Sequence, residues 1–420
     1  MSVEVDADEH GRLARETALF LSDPSTRSNP YPLFRRLREN DPVHRSDAGA
    51  WMLTRYNDCL AAFRDPRLSR QDQAELEFDI LLKGCTEETA QRALRTSLGM
   101  VVNLEGSNHA RVRRLVTHAF TPKAVAAWRI RIEAIVDRLL AAVENKSEFD
   151  FMQELAFPLP QAVMCELVGV PYEDHALWTQ WAARQVAFNR ADPSGGVGVA
   201  SARTAIIEFR DYFLDLVRKR RNALGTDLAS VLIRAEEEGD RLSEDELVGT
   251  LMMLAIAGFE TTANLIGNGM NALFDNPRQF DILKADPNLA AQAVEEFLRY
   301  ESPSRMVLPK RTTDAVVMSG VEIPAGQSVL IVLGAGNRDP AMFDNPDALD
   351  IERTNNAHLG FGAGPHFCLG AGFARLEATI LFKAVVTRRP DLKRATDTVR
   401  WRETFVRGLE ELPVVGRQIH

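Results

Sequence analysis

The segment Phe361-Gly-Ala-Gly-Pro-His-Phe-Cys368-Leu-Gly370 places one cysteine among glycines and a proline, directly before a long apolar run. Glycine tolerates positive φ and lets a flat, bulky group approach the backbone closely. A thiolate just before a helix is stabilised by the N-terminal amides and the helix dipole, which predicts a lowered pKa for Cys368. These features indicate one sulfur ligand for one large cofactor. A buried structural cysteine in a turn is the alternative, and these ten residues alone do not decide between them.

The composition of the 420-residue chain, with 45% hydrophobic and 26% charged residues, is typical of a soluble globular protein. Its net charge of -9 implies no general affinity for nucleic acid. The N-terminal residues show neither a signal peptide nor a membrane anchor, so we expect a cytoplasmic protein. No C-x-x-C pair occurs, which argues against a zinc site or a disulfide framework and favours a reducing compartment. The cysteines are Cys59, Cys85, Cys165 and Cys368.

One predicted helix carries polar residues in an apolar setting. The capping box Ser243–Glu246 opens it, and the run Leu247–Phe259 is apolar on every side, which predicts burial all round. Glu260 and Thr261 follow directly, and Gly258 weakens the helix beside them. The pair is either an internally satisfied kink or an acid and an alcohol that open into a pocket. The coincidence of polar cluster and helix breaker favours the pocket.

Two further pairs of charged residues share a helix face. His109 and Arg113 are four residues apart, so they form either a cationic clamp for an anionic group or a solvated basic face. Taken alone, the solvated face is favoured. Glu296 and Arg299 are three apart, which by itself is typical of an ordinary surface ion pair.

The remaining pattern predicts a mainly α protein with a small β portion, an α+β fold. Short strands are expected at 51–54, 315–318, 321–323 and 328–333, and a strong apolar helix at 369–388. No element is assigned to residues 71–98, where the pattern is irregular. With no internal repeat or low-complexity linker, we expect a polar N-terminal leader over 1–28 and a single domain over 29–420.

The order of the motifs resembles that of the soluble bacterial cytochromes P-450, which are haem-thiolate monooxygenases. The likeness extends from about Tyr31 to Val415. It implies a triangular prism of helices around a buried haem b. The motifs that carry it are His109-x-x-x-Arg113, Ala-Gly-x-Glu-Thr-Thr at 257–262, Glu296-x-x-Arg299, Asn-Arg-Asp-Pro at 337–340, and the glycine-rich cysteine segment.

The resemblance implies a role for each matching residue. Cys368 would be the axial thiolate and metal ligand of the haem. Glu260 and Thr261 would deliver protons during oxygen activation. Glu296, Arg299 and Arg353 would form a buried ion network that fixes the ligand loop. The residues expected to contact the haem are His109, Arg113, Phe361, Gly362, Gly364, His366, Cys368 and Gly370.

One position departs from the family pattern. The family usually places a propionate-binding arginine ten residues before the glycine that matches Gly320. Lys310 has that spacing here, and Arg311 is one residue late. Because a guanidinium suits a bidentate contact better, we predict Arg311 as the haem ligand.

The substrate implied by the resemblance is a mainly hydrophobic small molecule of intermediate size, which the enzyme would hydroxylate or epoxidise with one oxygen atom from O2. Terpenoid, steroid, fatty-acid-like and polyketide compounds all fit. The expected pocket residues are Leu254, Ala257, Gly258, Met306, Val307, Phe405 and Val406.

Electrons are expected from NAD(P)H through a separate ferredoxin and ferredoxin reductase. A basic docking patch is one interpretation of Arg111, Arg114, Lys123 and Arg375, and a random spread of surface charge is the other. A peroxide-driven peroxygenase and a non-catalytic haem sensor are the alternative functions. The intact Glu260–Thr261 pair argues against both.

Overall fold

The computed structural model describes residues 7–177, 180, 181, 184, 197–237, 242–402 and 406–417. Helices predominate in these ranges. The α-helices described include Ala7–Ser22 (α1), Tyr31–Asn40 (α2), Tyr56–Arg64 (α3), Arg70–Leu82 (α4), Glu88–Arg95 (α5), Gly106–Thr117 (α6), Pro122–Ala127 (α7), Arg129–Val143 (α8), Pro158–Val168 (α9), Val197–Asn222 (α10), Leu228–Glu237 (α11), Glu244–Asp275 (α12), Pro277–Ala285 (α13), Ala290–Tyr300 (α14), Leu333–Gly336 (α15) and Ala371–Arg388 (α16).

The strands are short and form small sheets. The largest has the order β1-β2-β8-β5-β3, in which β2 and β8 are parallel and β5 runs antiparallel to β8. The other two have the orders β4-β10-β9 and β6-β7. The strands are Val43–Arg45 (β1), Trp51–Leu53 (β2), Leu68–Ser69 (β3), Glu148–Asp150 (β4), Lys310–Thr312 (β5), Val316–Met318 (β6), Val321–Ile323 (β7), Ser328–Ile331 (β8), Lys393–Arg394 (β9) and Pro413–Val415 (β10).

The chain divides into two compact units. The first comprises Met1–Leu68, Ala126–Pro160 and Glu260–His420, and the second comprises Ser69–Val125 and Gln161–Phe259. The first unit contains the sheets and the cysteine segment. The second contains α4, α5, α6, α10 and α11.

The N-terminal helix α1 belongs to the core of the first unit. Leu13 and Phe20 lie seven residues apart on one helix face and are buried against Phe34 and Leu37 of α2. The Phe20 and Phe34 rings meet edge to face with centroids 5.4 Å apart. Helix α1, which lies within the polar leader expected over 1–28, therefore has an apolar stripe that packs into the core of the first unit.

The irregular pattern at 71–98 contains helices α4 and α5. The Ser69 hydroxyl caps α4 by accepting from the Asp72 backbone amide at 3.1 Å. Arg70 is buried in its first turn, where it donates to Asn103 at 3.1 Å and to Glu77 at 3.0 Å. Burial of this arginine interrupts the apolar pattern of α4 in the sequence. The folded protein accommodates it because Asn103 and Glu77 accept its hydrogen bonds.

The capping box predicted at Ser243–Glu246 is confirmed. The Glu246 carboxylate accepts from the Ser243 amide at 2.8 Å, and the Ser243 hydroxyl accepts from the Glu246 amide at 3.2 Å. The helix α12 that follows is the one described helix long and apolar enough to cross a membrane. However, 67% of its apolar window is buried within the protein, as in the core helix of a globular fold.

Candidate active site

The cysteine segment forms a loop that ends at the start of α16. The Cys368 amide donates to the Phe361 carbonyl at 2.9 Å, which closes the loop on itself. Gly370 is the N-cap residue of α16, and Cys368 is exposed two residues before it. The thiol is therefore presented at a helix N-terminus, where a thiolate is stabilised by the backbone amides.

Two glycines of this loop are required by geometry. Gly362 and Gly364 have φ of +70° and +67°, a region that favours glycine. A Cβ on Gly364 would lie 2.6 Å from the Phe63 carbonyl oxygen, and one on Gly362 would lie 3.2 Å from the Phe63 ring. The loop thus lies directly against the end of α3.

Cys368 differs from the chain's buried cysteines. Burial raises the pKa of the Cys59 thiol well above its ordinary value and raises the pKa of Cys165 to about 12, so both remain protonated thiols. Within the described residues, no cluster of three or more histidine, cysteine or acidic side chains is arranged to hold a metal ion. A single exposed sulfur fits one axial ligand to haem and does not fit a zinc site.

A buried ion network lies behind the loop. Glu296 and Arg299 are fully buried, and the Arg299 guanidinium donates to both carboxylate oxygens at 2.7 and 2.8 Å. Arg353 donates to the same carboxylate at 3.1 Å, as does the Asn356 amide. Arg299 also binds the carbonyls of Asn337, Pro346 and Ala348. The network joins α14 to the segment that leads into the cysteine loop.

A second cluster, which no pattern in the sequence indicated, supports the loop through Phe361. Arg375 lies 4.5 Å from the Phe361 ring and donates to both oxygens of Glu295 at 2.6 and 2.8 Å. His358 shares the Glu295 carboxylate at 2.9 Å. Burial raises the pKa of Glu295, but the hydrogen bonds from Arg375 and His358 outweigh it and lower that pKa to about 2. The carboxylate is therefore an anion at neutral pH.

Helix α12 exposes one turn within its buried length. Ala257 is exposed, and Gly258, Glu260 and Thr261 are partly exposed. The α-helix continues through Gly258, where a Cβ would lie 2.5 Å from the Met164 sulfur. The glycine thus provides room for Met164 and does not interrupt the helix. The turn presents Thr261 and the Glu260 carboxylate, whose Oε1 accepts from Arg402 at 2.8 Å.

The expected haem-binding cations are distributed over both units. His109 is buried and Arg113 half-buried on α6 in the second unit, whereas His366 lies in the cysteine loop of the first. On β5, Lys310 is buried and its Nζ donates to the Leu68 carbonyl at 3.1 Å. Arg311 is half-buried on the opposite face of the strand, near Gly326. Burial therefore favours Lys310 over the predicted Arg311 as the inward-facing cation.

Two of the expected pocket segments in the first unit come together. Val406 lies beside Ser304 in an antiparallel bridge, and Met306 and Val307 follow on the same segment, half-buried. In the second unit Leu254 is buried three residues before the exposed Ala257. Phe405 lies outside the described residues.

Comparison with known proteins identifies the family. The cytochrome P450 family model matches residues 198–388. The polyketide biosynthesis cytochrome P450 PksS of Bacillus subtilis is 38% identical over 402 residues, covering 92% of this chain and 95% of that protein. The chain belongs to the cytochrome P450 family. This P450 is also 40% identical over 395 residues to the vitamin D(3) 25-hydroxylase of Pseudonocardia autotrophica, covering 92% of this chain and 93% of that protein.

A solved P450 structure confirms the fold class. The crystal structure of P450BioI in complex with an acyl carrier protein ligated to hexadec-9Z-enoic acid superposes with a TM-score of 0.83 at 34% identity. The match covers 93% of this chain and 99% of that one. The mainly α fold with a small β portion is confirmed, and so is the resemblance drawn from the motifs. The enzyme is a cytochrome P450 monooxygenase, and its cofactor is haem b.

Proposed function

We propose that this P450 inserts one oxygen atom from O2 into a mainly hydrophobic small molecule in the cytoplasm, with electrons from a separate ferredoxin and ferredoxin reductase. The observation that carries the proposal is the exposed turn of α12. In a mostly buried helix, this turn exposes Ala257 and leaves Glu260 and Thr261 partly exposed, so an acid and an alcohol are accessible on neighbouring residues. A non-catalytic haem protein has no need of that pair.

The cysteine loop supports Cys368 as the axial ligand. Its sulfur is exposed at a helix N-terminus, and the loop before it contains two positive-φ glycines, Gly362 and Gly364. We assign the haem contacts to this loop, from Phe361 and Gly362 through His366 to Gly370. Cations for the propionates would come from His109 and Arg113, together with a β5 side chain. The haem, when bound, supplies the activation of molecular oxygen.

The chain's own part in the reaction is proton movement and positioning. The Thr261 hydroxyl can accept a proton and pass one on, and it lies on the partly exposed turn of α12. The Glu260 carboxylate lies one residue earlier and is one-fifth exposed, so it can exchange protons with solvent. The buried Glu296, Arg299 and Arg353 network holds the segment before the cysteine loop in place.

The apolar character of the assigned lining supports a hydrophobic substrate. Leu254, Ala257, Val307 and Val406 carry no polar side-chain atoms, so they can exclude water from an apolar ligand. The names of the relatives indicate three candidate classes: polyketides, vitamin D(3)-like sterols and long-chain acyl groups. We propose that the substrate belongs to one of these classes.

Reduction by a ferredoxin is supported by a smaller basic patch than the sequence suggested. Arg111 pairs with Glu246 and Arg375 pairs with Glu295, so both are tied to their own unit. Arg114 and Lys123 are exposed. We expect Arg114→Glu to slow reduction by an acidic ferredoxin at low salt, because reversing a rim charge chiefly lowers the association rate.

An optical titration of the purified haem protein tests the substrate proposal. The probes are hexadec-9Z-enoic acid, vitamin D(3) and a macrolide polyketide. We expect one of them to shift the Soret band from its low-spin to its high-spin position, and that compound then to yield an oxygenated product with ferredoxin, reductase and NADPH. Saturable binding by all three without any product would contradict the proposal. A Cys368→Ala variant is the control for the thiolate-ligated spectrum.

A further inference from the structure

Segments 400–402 and 406–410, which together we call the C-terminal hairpin, contact α12 at regularly spaced positions. Arg402 bonds to Glu260, Gly408 lies against the Asn264 amide, and the Arg407 carbonyl accepts from Asn268 at 3.1 Å. These three α12 positions are four residues apart, so they follow one face of the helix. The hairpin thus contacts the face that begins at the proposed proton donor.

The stem of this hairpin is well anchored. The Arg402 amide donates to the Gly408 carbonyl at 2.8 Å, and Trp401 pairs with Leu409. The Arg407 guanidinium lies 3.4 Å from the centre of the Trp401 ring and bonds to the buried Glu301 carboxylate. Arg402 therefore extends from a fixed backbone.

The Arg402 side chain is oriented from its other side by an aromatic ring. Its guanidinium lies 5.1 Å from the centre of Phe157. Phe157 ends a π-helical turn, in which its amide donates to the Met152 carbonyl at 2.9 Å. Such turns are frequent at functional sites. Ring and hairpin together hold the guanidinium on Glu260 Oε1.

We propose that Arg402 is a positioning residue for Glu260. The proposal rests on the proton-donor role assigned to Glu260 above. A glutamate side chain has three rotatable bonds, and bonding Oε1 to a fixed cation restricts them. Among the residues that the structure describes, Oε2 has no hydrogen-bond partner, and it is the oxygen left to exchange a proton. The pair is partly exposed, so it contributes little to stability, and its effect should appear in proton transfer.

The test compares Arg402→Met, which keeps length but removes charge, with Arg402→Lys, which keeps the charge. Arg400→Met is the matched control, because Arg400 lies on the same stem and pairs at the surface with Glu411. Haem-loaded protein is supplied with electrons by a surrogate ferredoxin, its reductase and NADPH. The readouts are hydrogen peroxide released per NADPH and the solvent deuterium isotope effect on NADPH oxidation.

We expect Arg402→Met to raise the peroxide released per NADPH and the isotope effect several-fold. Arg402→Lys should raise both quantities less, and Arg400→Met should change neither. A double-mutant cycle with Glu260→Gln should be non-additive in the isotope effect, whereas the thermal unfolding midpoint should change little because the pair is partly exposed. A crystal structure of Arg402→Met should show the Glu260 carboxylate displaced.

The outcomes separate the two proposals. If Glu260→Gln alters peroxide release and Arg402→Met does not, the positioning role is wrong and the proton-donor role stands. If Glu260→Gln leaves both readouts unchanged, the proton-donor role is wrong and the positioning role fails with it. Equal increases in peroxide release and isotope effect in Arg402→Met and Arg400→Met would contradict the positioning role, because they would indicate a general effect of removing an arginine from the hairpin.

Discussion

Glu377 lies on α16, nine residues after Cys368, and only 2% of its surface is exposed. One of its carboxyl oxygens has no hydrogen-bond partner among the described residues. Burial raises the pKa of Glu377 well above its ordinary value of 4.5. Burial therefore favours the protonated carboxylic acid in the folded protein, whereas the unfolded chain exposes an ordinary carboxyl group.

The contribution of Glu377 to the free energy of unfolding should consequently fall as pH rises. Below about pH 4.5 both states hold the proton and Glu377 contributes no pH dependence. Above it, the folded state binds one more proton than the unfolded state, which lowers the free energy of unfolding by about 1.4 kcal/mol per pH unit up to the folded pKa. Urea unfolding of Glu377→Gln between about pH 5 and pH 7 should show a correspondingly flatter dependence. The exposed Glu352→Gln should match the wild type, and equal slopes in all three proteins would contradict the assignment.

Whether Lys310 or Arg311 serves as the haem-binding cation of β5 also depends on the burial of single side chains. Successive side chains on a strand point to opposite faces, and Lys310 lies on the buried face of β5. We expect Lys310→Ala to lower haem retention during gel filtration and Arg311→Ala to retain haem like the wild type. The reverse result would restore the prediction made from the sequence.

The fit of the C-terminal hairpin against α12 depends on a glycine. A Cβ on Gly408 would lie 2.0 Å from the Asn264 amide oxygen and 2.6 Å from its nitrogen. Both Asn264 amide atoms are buried without a hydrogen-bond partner among the described residues. A buried amide of this kind ordinarily binds an ordered water.

Gly408→Ala should therefore destabilise the protein by about 1–3 kcal/mol, the usual cost of overpacking a core. Truncation of the opposing side chain removes the clash, so Asn264→Ala should offset much of that loss in the double variant. Urea unfolding of the two single variants and the double variant measures the coupling. Additive losses would show that hairpin and helix are further apart than the structure has them.

The ion network shows how distant parts of the chain depend on one carboxylate. Removing the charge of Glu296 leaves the fully buried Arg299 without its counter-ion. We expect Glu296→Gln to lower stability by about 3–5 kcal/mol and to weaken haem retention, since the network holds the segment before the cysteine loop. Thermal unfolding and the Soret absorbance per protein measure the two effects. Glu352→Gln, a surface change six residues beyond Pro346, serves as the control and should stay within about 0.5 kcal/mol of the wild type.

The sequence by itself determined the features that rest on local chemistry. The Ser243–Glu246 capping box depends on groups three residues apart, and the helix after Cys368 depends on a continuous apolar pattern that ends at a proline. The strands at 51–53 and 316–323 are short, mainly apolar runs, and a turn at Gly320 joins the two strands within 316–323. The ordered motifs then identified the family, because each spacing reflects contacts within a single element or loop.

Only the tertiary structure decided which side chains meet across the chain. Arg402 and Glu260 are 142 residues apart, and Arg375 and Glu295 are 80 apart. The helix α4 escaped prediction because its buried Arg70 bonds to Asn103, on a different element. Local periodicity reports which face of an element is apolar, but it contains no information about which distant face packs against it. For that reason the proposed proton donor was visible in the sequence, whereas the arginine proposed to position it was not.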